Sequence, residues 1–204
     1  MIYQKIIKPT ADRVVAIILL LVCSPILIIL IMIQALAYRG NIFYRQARVG
    51  YHQQPFLIFK FTTMRPAHPQ SGVRLTDKAR ITKLGEVLRK THLDELPQLY
   101  NILRGEMSFV GPRPLLPAYL AHYTFTEQQR HDVTAGLTGL AQINGGQSLA
   151  WSKKMAWDVW YVRHQSFRLD MYILWKTAQK LLRPDPQEVF HHETNYTFKS
   201  KQLK

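Results

Sequence analysis

The chain has only one cysteine, Cys23, which excludes an internal disulfide. Because Cys23 lies in an apolar run, a reducing compartment fits the protein and metal binding by thiolates does not. Acidic residues are also scarce: 13 Asp and Glu stand against 27 Lys and Arg, for a formal net charge of +14. Such an excess suits a polyanionic partner, which can be nucleic acid, an anionic membrane surface or a phosphate-rich substrate.

Nucleotide-binding fingerprints are missing as well. The sequence contains neither GxxxxGK[ST] nor GxGxxG, so it has no P-loop and no Rossmann phosphate cradle. It also has no internal repeat and no low-complexity tract. A length of 204 residues therefore predicts a single domain with attached segments.

One long apolar run is present, VVAIILLLVCSPILIILIMIQALA at 14–37, and it carries no charge. About 20 apolar residues suffice to cross a bilayer, so the run predicts a membrane-inserted segment. A plain transmembrane helix is one interpretation. However, Pro25 removes a backbone hydrogen bond near the middle of the run, which predicts a kink there. The hydroxyl of the preceding Ser24 can satisfy the freed carbonyl group.

The flanking charges favour a re-entrant segment over a spanning helix. Positive flanks are normally cytoplasmic, and both ends of the run qualify. A helix that enters, breaks at Ser24-Pro25 and returns to the same face satisfies both flanks. We therefore predict a helix–break–helix anchor over residues 1–39. The flanking cations are Lys5, Lys8 and Arg13 before the run and Arg39, Arg45 and Arg48 after it.

Two stretches after the anchor, 41–50 and 55–64, are rich in β-branched and aromatic residues and predict a short hairpin. Residues 66–80 are typical of a loop. A helix is predicted from Ile81 to Lys90. A second helix is predicted to begin after Thr91 as N-cap, with Asp94 at its third position.

The segment FVGPRPLLP at 109–117 predicts a rigid extended turn, because its glycine and prolines prevent regular structure. A second predicted loop, TAGLTGLAQINGGQ at 134–147, is rich in glycine and would let backbone approach a ligand. Residues 171–183 form an amphipathic basic pattern that fits either a core-facing helix or one lying on an anionic membrane. From Pro184 the chain predicts a polar tail.

Two adjacent acids, Asp94 and Glu95, lie within the most basic part of the chain, LRKTHLDELPQLYNILRGEMSFVGPRP at 88–114. Acids in a first helical turn complement the helix dipole and are common for that reason alone. Residues alone therefore leave a capping role and a catalytic role both open.

The ordered motifs resemble the bacterial sugar transferase family of small monotopic phosphoglycosyl transferases. The resemblance covers about residues 8–180. It is carried by SP at 24–25, YRQARVG at 44–50, KF at 60–61, ARITKLGEVLRKTHLDELPQLYNILRGEMSFVGPRP at 79–114, GLTGLAQING at 136–145 and DVWYV at 158–162.

The resemblance implies an α/β fold, mostly α with a short β-hairpin. A compact catalytic domain, placed here at residues 40–183, would rest on the cytoplasmic face of the bacterial inner membrane with amphipathic helices at the interface. Residues 184–204 would form the tail. The implied reaction moves a phosphosugar from a UDP-sugar to polyprenol phosphate, releasing UMP. We expect membrane lipids and no nucleic acid as partners, and a homodimer stays open.

By the same resemblance, Asp94 is the nucleophile that forms a covalent acyl phosphate, and Glu95 deprotonates or orients the acceptor. Mg²⁺, bound in part by Asp94, would neutralise the diphosphate. Asp158 would either orient a cation, contact the metal or form a structural ion pair. The residues implied to bind substrate and its phosphates are Lys60, Arg89, Pro112, Arg113 and Gln142.

Residues alone also allow other interpretations: Lys60 could be a solvated strand residue, and Arg89 a charge that complements a helix dipole. Thr62 and Gly146 depart from the family pattern, which usually has arginine at both positions. Two rival functions stay open on the sequence. One is a membrane-anchored module that binds nucleic acid or lipid, and the other is a catalytically silent scaffold of a glycan-assembly complex.

Overall fold

In the computed structural model, residues 2–65 and 76–182 are described. A π-helical turn at Tyr3–Ile7 leads into the first helix. The helices are α1 Lys8–Val22, α2 Ser24–Ala37, α3 Asp77–Arg80, α4 Lys83–Lys90, α5 Gln98–Leu103, α6 Phe125–Gln128, α7 Leu140–Ile143, α8 Trp151–His164 and α9 Phe167–Leu182. The strands are β1 Phe43–Val49, β2 Pro55–Phe61, β3 Met107–Val110 and β4 Ala135–Thr138. Helices with two small sheets confirm the coarse α/β prediction.

The N-terminal helices are bent by 66° between Tyr3–Val22 and Ser24–Ala37. The predicted kink is thus confirmed, and its chemistry is local. Pro25 has no N–H to donate to the carbonyl of Leu21, and the Ser24 hydroxyl donates to that carbonyl at 2.7 Å instead. Within the described residues, only the two helices taken together, and neither alone, have the length and apolar composition to cross a membrane.

The two helices bury one face and expose a strongly apolar one. Ala16 is fully buried and Leu30 is 7 % exposed, each within a core cluster. On the outer side, Leu21 and Val22 are each 70 % exposed and Leu36 is 84 % exposed. Exposed apolar side chains in this number are typical of a surface that another apolar phase covers.

A buried polar cluster fastens the start of the N-terminal helix to α9. The Lys8 ammonium and the Tyr3 hydroxyl lie 2.7 and 2.6 Å from Asp170 Oδ2, and the Tyr161 hydroxyl donates to Asp170 Oδ1 at 2.7 Å. Lys8 is 6 % exposed. Its charge is therefore balanced inside the protein, so Lys8 adds no exposed positive charge before the apolar run.

The predicted hairpin is confirmed, since β1 and β2 pair antiparallel with Tyr44 opposite Lys60. The second pair, β3 and β4, is parallel. It contradicts the prediction that 134–147 is a loop, because this segment contains β4 and α7. Here Gly136 N donates to the carbonyl of Pro112 at 2.9 Å, and a Cβ on Gly136 would collide with the backbone of Gly111. The glycines thus admit another backbone.

Helix α4 begins at Lys83, two residues after the predicted start, because the Thr82 hydroxyl accepts from Gly85 N at 2.9 Å and caps it there. The prediction that Thr91 is the N-cap of a second helix was wrong. The Thr91 hydroxyl donates to the carbonyl of Val87 at 2.9 Å, so this residue closes α4. The chain then turns sharply through His92, whose φ is 56°.

Helix α9 does not bury the predicted apolar stripe. Asp170 and Ile173 face the core, whereas Met171, Trp175 and Leu182 are 42 %, 55 % and 83 % exposed. The core-facing interpretation of that stripe is therefore wrong. Of the predicted loop at 66–80, residues 77–80 form α3, and 66–75 lie outside the described residues, as does the predicted tail.

Candidate active site

The two acids lie on a single 3₁₀ turn, Leu93–Glu95, between α4 and α5. His92, immediately before it, has the left-handed backbone that residues with a Cβ rarely adopt. This conformation directs the turn inward, and Asp94 and Glu95 are only 5 % and 9 % exposed. The acids are therefore buried groups rather than a solvated cap at a helix start.

Glu95 brings together two of the predicted cations. Its Oε1 lies 3.0 Å from the Lys60 ammonium on β2 and accepts from Arg113 Nη2 at 2.9 Å. Lys60 is 4 % exposed. The interpretation of Lys60 as a solvated strand residue is therefore wrong. One carboxylate oxygen joins the hairpin to the turn that follows β3.

Arg89 lies on the last turn of α4, but its side chain points inward. It is 7 % exposed, and its Nε donates to the Thr63 hydroxyl at 2.9 Å. A cation that only complemented the helix dipole would stay in solvent. Arg89 therefore belongs with Lys60 and Arg113 in the buried cationic surroundings of the acids.

Asp158 forms an ion pair, which is one of the roles left open for it above. Its partner, Arg130, was missed by sequence analysis. Arg130 donates from Nη2 and Nε to Asp158 Oδ2 at 2.8 and 3.1 Å, and both residues are 2 % exposed. A second bond from Arg130 Nη2 reaches the backbone carbonyl of Arg113 at 2.7 Å. Asp158 thus fixes the Arg113 turn through Arg130. A buried aspartate on an aromatic helix signals a need for a cation, but sequence cannot say which one.

Lys154, one helical turn before Asp158, is a second cation that sequence analysis missed. It is 7 % exposed. Burial lowers the pKa of its ammonium to about 8, although the Asp158 carboxylate opposes the shift; Arg113 and Arg130 lower the pKa further.

A cavity of about 550 Å³ adjoins the acids. Charged side chains line it, among them Arg89, Arg113, Lys154 and Glu95. Apolar side chains line it too, among them Leu19, Leu96, Leu99, Phe109, Leu137 and Leu174. Asp94 precedes the lining residue Glu95 on the same turn. A lining of both kinds suits a ligand with anionic and apolar parts.

The remaining predicted residues lie around this cavity in different ways. Gln142 lines it. The carbonyl of Pro112 is engaged by Gly136 N, so Pro112 holds the turn that carries Arg113. Next to the break at Ser24-Pro25, Cys23 lines the cavity. Across the described ranges, no group of three or more His, Cys, Asp or Glu side chains is placed to hold a metal ion.

A buried acid pair held among cations, beside a cavity that is part charged and part apolar, defines an enzyme-type site for an anionic, partly apolar substrate. Residues 3–184 match the family model for bacterial sugar transferases. The chain belongs to the bacterial sugar transferase family and is a transferase of phosphate-bearing groups.

Individual relatives agree with the family assignment. The chain is 43 % identical over 193 residues to an uncharacterized sugar transferase, EpsL, of Bacillus subtilis (strain 168), covering 95 % of this chain and 96 % of the relative. It is 36 % identical to the exopolysaccharide production protein ExoY of Sinorhizobium fredii, covering 83 % of each. A UDP-glucose:undecaprenyl-phosphate glucose-1-phosphate transferase of Xanthomonas campestris is 35 % identical; the match covers 88 % of this chain and 40 % of the longer relative.

We expect Asp158→Asn to destabilise the protein strongly, because it leaves the buried Arg130 guanidinium without a counter-ion. Breaking one partner of such a pair costs about 3–5 kcal/mol. Thermal unfolding in detergent measures the effect. The matched control is Glu86→Gln, which breaks the exposed Glu86–Lys90 pair and should leave the midpoint nearly unchanged. Equal midpoints for the two variants would contradict the structural role of Asp158.

Lys154→Met should weaken binding of inorganic diphosphate roughly tenfold at pH 7, the loss of one charge-assisted contact. An ammonium is protonated below its pKa, so wild type and variant should converge as the pH rises through about 8. Comparing the two proteins cancels the titration of the ligand itself, and calorimetry gives both affinities. Lys153→Met, at the exposed neighbouring position, is the control and should behave as wild type at each pH. Bound anion keeps the ammonium protonated somewhat above its own pKa, so a difference as large at pH 10 as at pH 7 would rule out the role of Lys154.

Proposed function

We propose that the protein transfers a phosphosugar from a UDP-sugar to polyprenol phosphate, giving a polyprenyl diphosphate sugar and UMP. The family assignment and the activity named for the Xanthomonas campestris relative support this reaction. The observation that carries the proposal is the burial of Asp94 and Glu95 among cations beside a cavity lined by both charged and apolar side chains. The charged lining suits the phosphate groups of donor and acceptor, and the apolar lining suits their uncharged parts.

In the proposed first step, a carboxylate oxygen of Asp94 attacks the phosphorus next to the sugar. A bond forms between that oxygen and phosphorus, the bond to the bridging oxygen breaks, and UMP leaves with the electron pair. In the second step, a phosphate oxygen of the acceptor attacks the same phosphorus and releases Asp94.

Glu95 serves to orient the site rather than to accept a proton. Its Oε1 is engaged by both Lys60 and Arg113. A carboxylate held in this way fixes the two cations at one distance from each other. Charge that builds on the phosphate oxygens during transfer is stabilised by such preorganised cations. The sequence left Glu95 either to deprotonate or to orient the acceptor. Its contacts support the second role, because the cations that it holds would orient the acceptor phosphate.

Mg²⁺ fits this site as a shared ion. The described residues hold no cage of three ligating side chains, and Mg²⁺ usually binds one or two carboxylates together with substrate phosphates. By the family resemblance, Asp94 is the residue that would hold it in part, together with the phosphates of the donor. When bound, the ion would neutralise the diphosphate.

The helix pair is proposed as a re-entrant anchor on the cytoplasmic face of the bacterial inner membrane. The 66° bend, the exposed apolar outer face and the exposed Trp175 and Leu182 of α9 support insertion of the first and interfacial contact of the second. In this arrangement residues 1–39 form the anchor and 40–183 the catalytic domain. The cavity, which Cys23 lines at the break, would then be reached from the lipid phase.

Enzyme given a UDP-sugar alone should release UMP in a burst equal to the enzyme concentration, because the covalent intermediate waits for acceptor. Asp94→Asn should abolish the burst and lower turnover by roughly three orders of magnitude or more. Mass spectrometry of quenched wild-type enzyme should find the phosphosugar mass on Asp94. The control is Asp132→Asn, at an exposed acid, which should keep the burst. An adduct on another residue would refute the mechanism, and no turnover of any UDP-sugar would favour the scaffold alternative.

For topology, Cys23 is first replaced by serine, and single cysteines are placed at the exposed Gln4 and Asn41. Gln4 is chosen rather than its neighbour Tyr3, because a cysteine at position 3 would remove the hydrogen bond from the Tyr3 hydroxyl to Asp170. In right-side-out cells, an impermeant maleimide should label neither position, and in inverted vesicles it should label both. Labelling of the two positions from opposite sides would show a spanning segment and disprove the re-entrant anchor.

A further inference from the structure

A second set of polar side chains lines the same cavity. It consists of Thr138 on β4, Gln142 on α7, and Thr177 and Lys180 on α9, and is called the glutamine patch below. The four residues make contact in two pairs. Lys180 Nζ donates to the backbone carbonyl of Gln142 at 3.1 Å, and the hydroxyl oxygens of Thr138 and Thr177 are 2.7 Å apart.

The hydroxyl pair has a defined direction. Thr177 donates its single hydroxyl proton to the carbonyl of Ile173 at 2.8 Å, so in the contact between the two threonines Thr138 is the donor. The remaining lone pairs on the Thr138 oxygen can accept. The glutamine patch therefore offers an acceptor, a cation and the amide of Gln142.

The amide of Gln142 makes no hydrogen bond among the described residues. Its Nε2 and Oε1 are both covered from solvent, and neither has a partner. A covered polar atom without a partner costs about 1–3 kcal/mol, so such atoms call for a reason. The side chain is folded against Gly139, where a Cβ would lie 2.9 Å from Oε1 and would also collide with the carbonyl of Gly111. The amide thus lies beside the turn that carries Arg113.

A glutamine amide presents a carbonyl oxygen and an N–H side by side. The imide edge of uracil presents the complementary pair in the same arrangement, so the two can form two parallel hydrogen bonds. The acetamido group of an N-acetylated sugar cannot, because its trans amide directs N–H and C=O to opposite sides. Leu137, Ile143 and Leu174, which line the cavity near the patch, suit the apolar faces of a ring.

Accordingly, we infer that the glutamine patch binds the uracil ring of the donor, with the amide of Gln142 paired to the imide edge. The inference rests on the proposed function, in which a UDP-sugar is the donor. On binding, rotation of the Gln142 side chain turns its amide away from Gly139 and into the cavity. The Gln142 amide, which has no partner before the donor binds, then gains two hydrogen bonds. The Lys180 ammonium beside it favours a carbonyl oxygen of the base over an amino group.

The test is a double-mutant cycle in which one change is made in the enzyme and the other in the ligand. Wild type and Gln142→Ala are each assayed with the best UDP-sugar and with its N3-methyl derivative, which lacks the imide proton. Methylation should lower kcat/KM roughly 10- to 100-fold in wild type and less than about threefold in Gln142→Ala. The Gln142→Glu variant keeps the shape of the side chain and serves as a second variant. Its melting temperature, compared with that of wild type, shows whether a loss of activity comes from misfolding. If Gln142 had only a structural role, its replacement would lower kcat/KM by the same factor for both substrates.

Calorimetry with UMP and N3-methyl-UMP repeats the comparison without turnover, so it decides the inference even if no UDP-sugar is turned over and the proposed reaction fails. An equal penalty for methylation in wild type and Gln142→Ala would overturn the uracil assignment. A Gln142→Ala variant that instead loses a wild-type preference between UDP-N-acetylglucosamine and UDP-glucose would place the sugar at the amide, and would also overturn it.

Discussion

The site depends on one carboxylate oxygen that lies between two cations. Glu95 Oε1 is within 3.0 Å of both the Lys60 ammonium and the Arg113 guanidinium, which come from the hairpin and from the turn after β3. With Glu95 only 9 % exposed, water screens these contacts weakly. Removing the carboxylate would leave the buried Lys60 ammonium facing the partly buried Arg113 guanidinium, so the pairing holds the hairpin and the Arg113 turn in register beside Asp94.

The same turn is held from its other side by a second buried pair. Arg130 is bound to Asp158 and also donates to the carbonyl of Arg113, so the Arg113 side chain and backbone are fixed by different carboxylates. Around the acids, positive charge exceeds negative charge, which a phosphate ligand would balance. This explains how a chain with few acids uses Glu95 and Asp158. Each of them holds an arginine in the part of the site that would bind an anion, and neither is a surface charge.

Sequence patterns predicted the hairpin, the kink at Ser24-Pro25 and the acid pair among cations, because each follows from local rules of alternation, proline geometry and charge. They failed at the glycine-rich segment 134–147, which contains β4 and α7 because Gly136 can lie against the backbone of Gly111. They left two placements open for the apolar stripe of α9, and Met171, Trp175 and Leu182 face outward because long-range packing directs Asp170 to the core. The partner of Asp158 could not be predicted, since 28 residues separate it from Arg130 along the chain.

The cluster around Asp170 joins the anchor to the site. Its Oδ2 binds Lys8 and its Oδ1 accepts from the Tyr161 hydroxyl, which lies 3.0 Å from the carbonyl of Val110. Val110 ends β3, and the turn that carries Arg113 begins with the next residue. The chain of contacts therefore runs from the first turns of the N-terminal helix to the cations beside Glu95. Because the links at Lys8, Asp170, Tyr161 and Val110 are buried, a shift of the helix pair has to move these contacts or break them, so the geometry of the helix pair is coupled to that of the site.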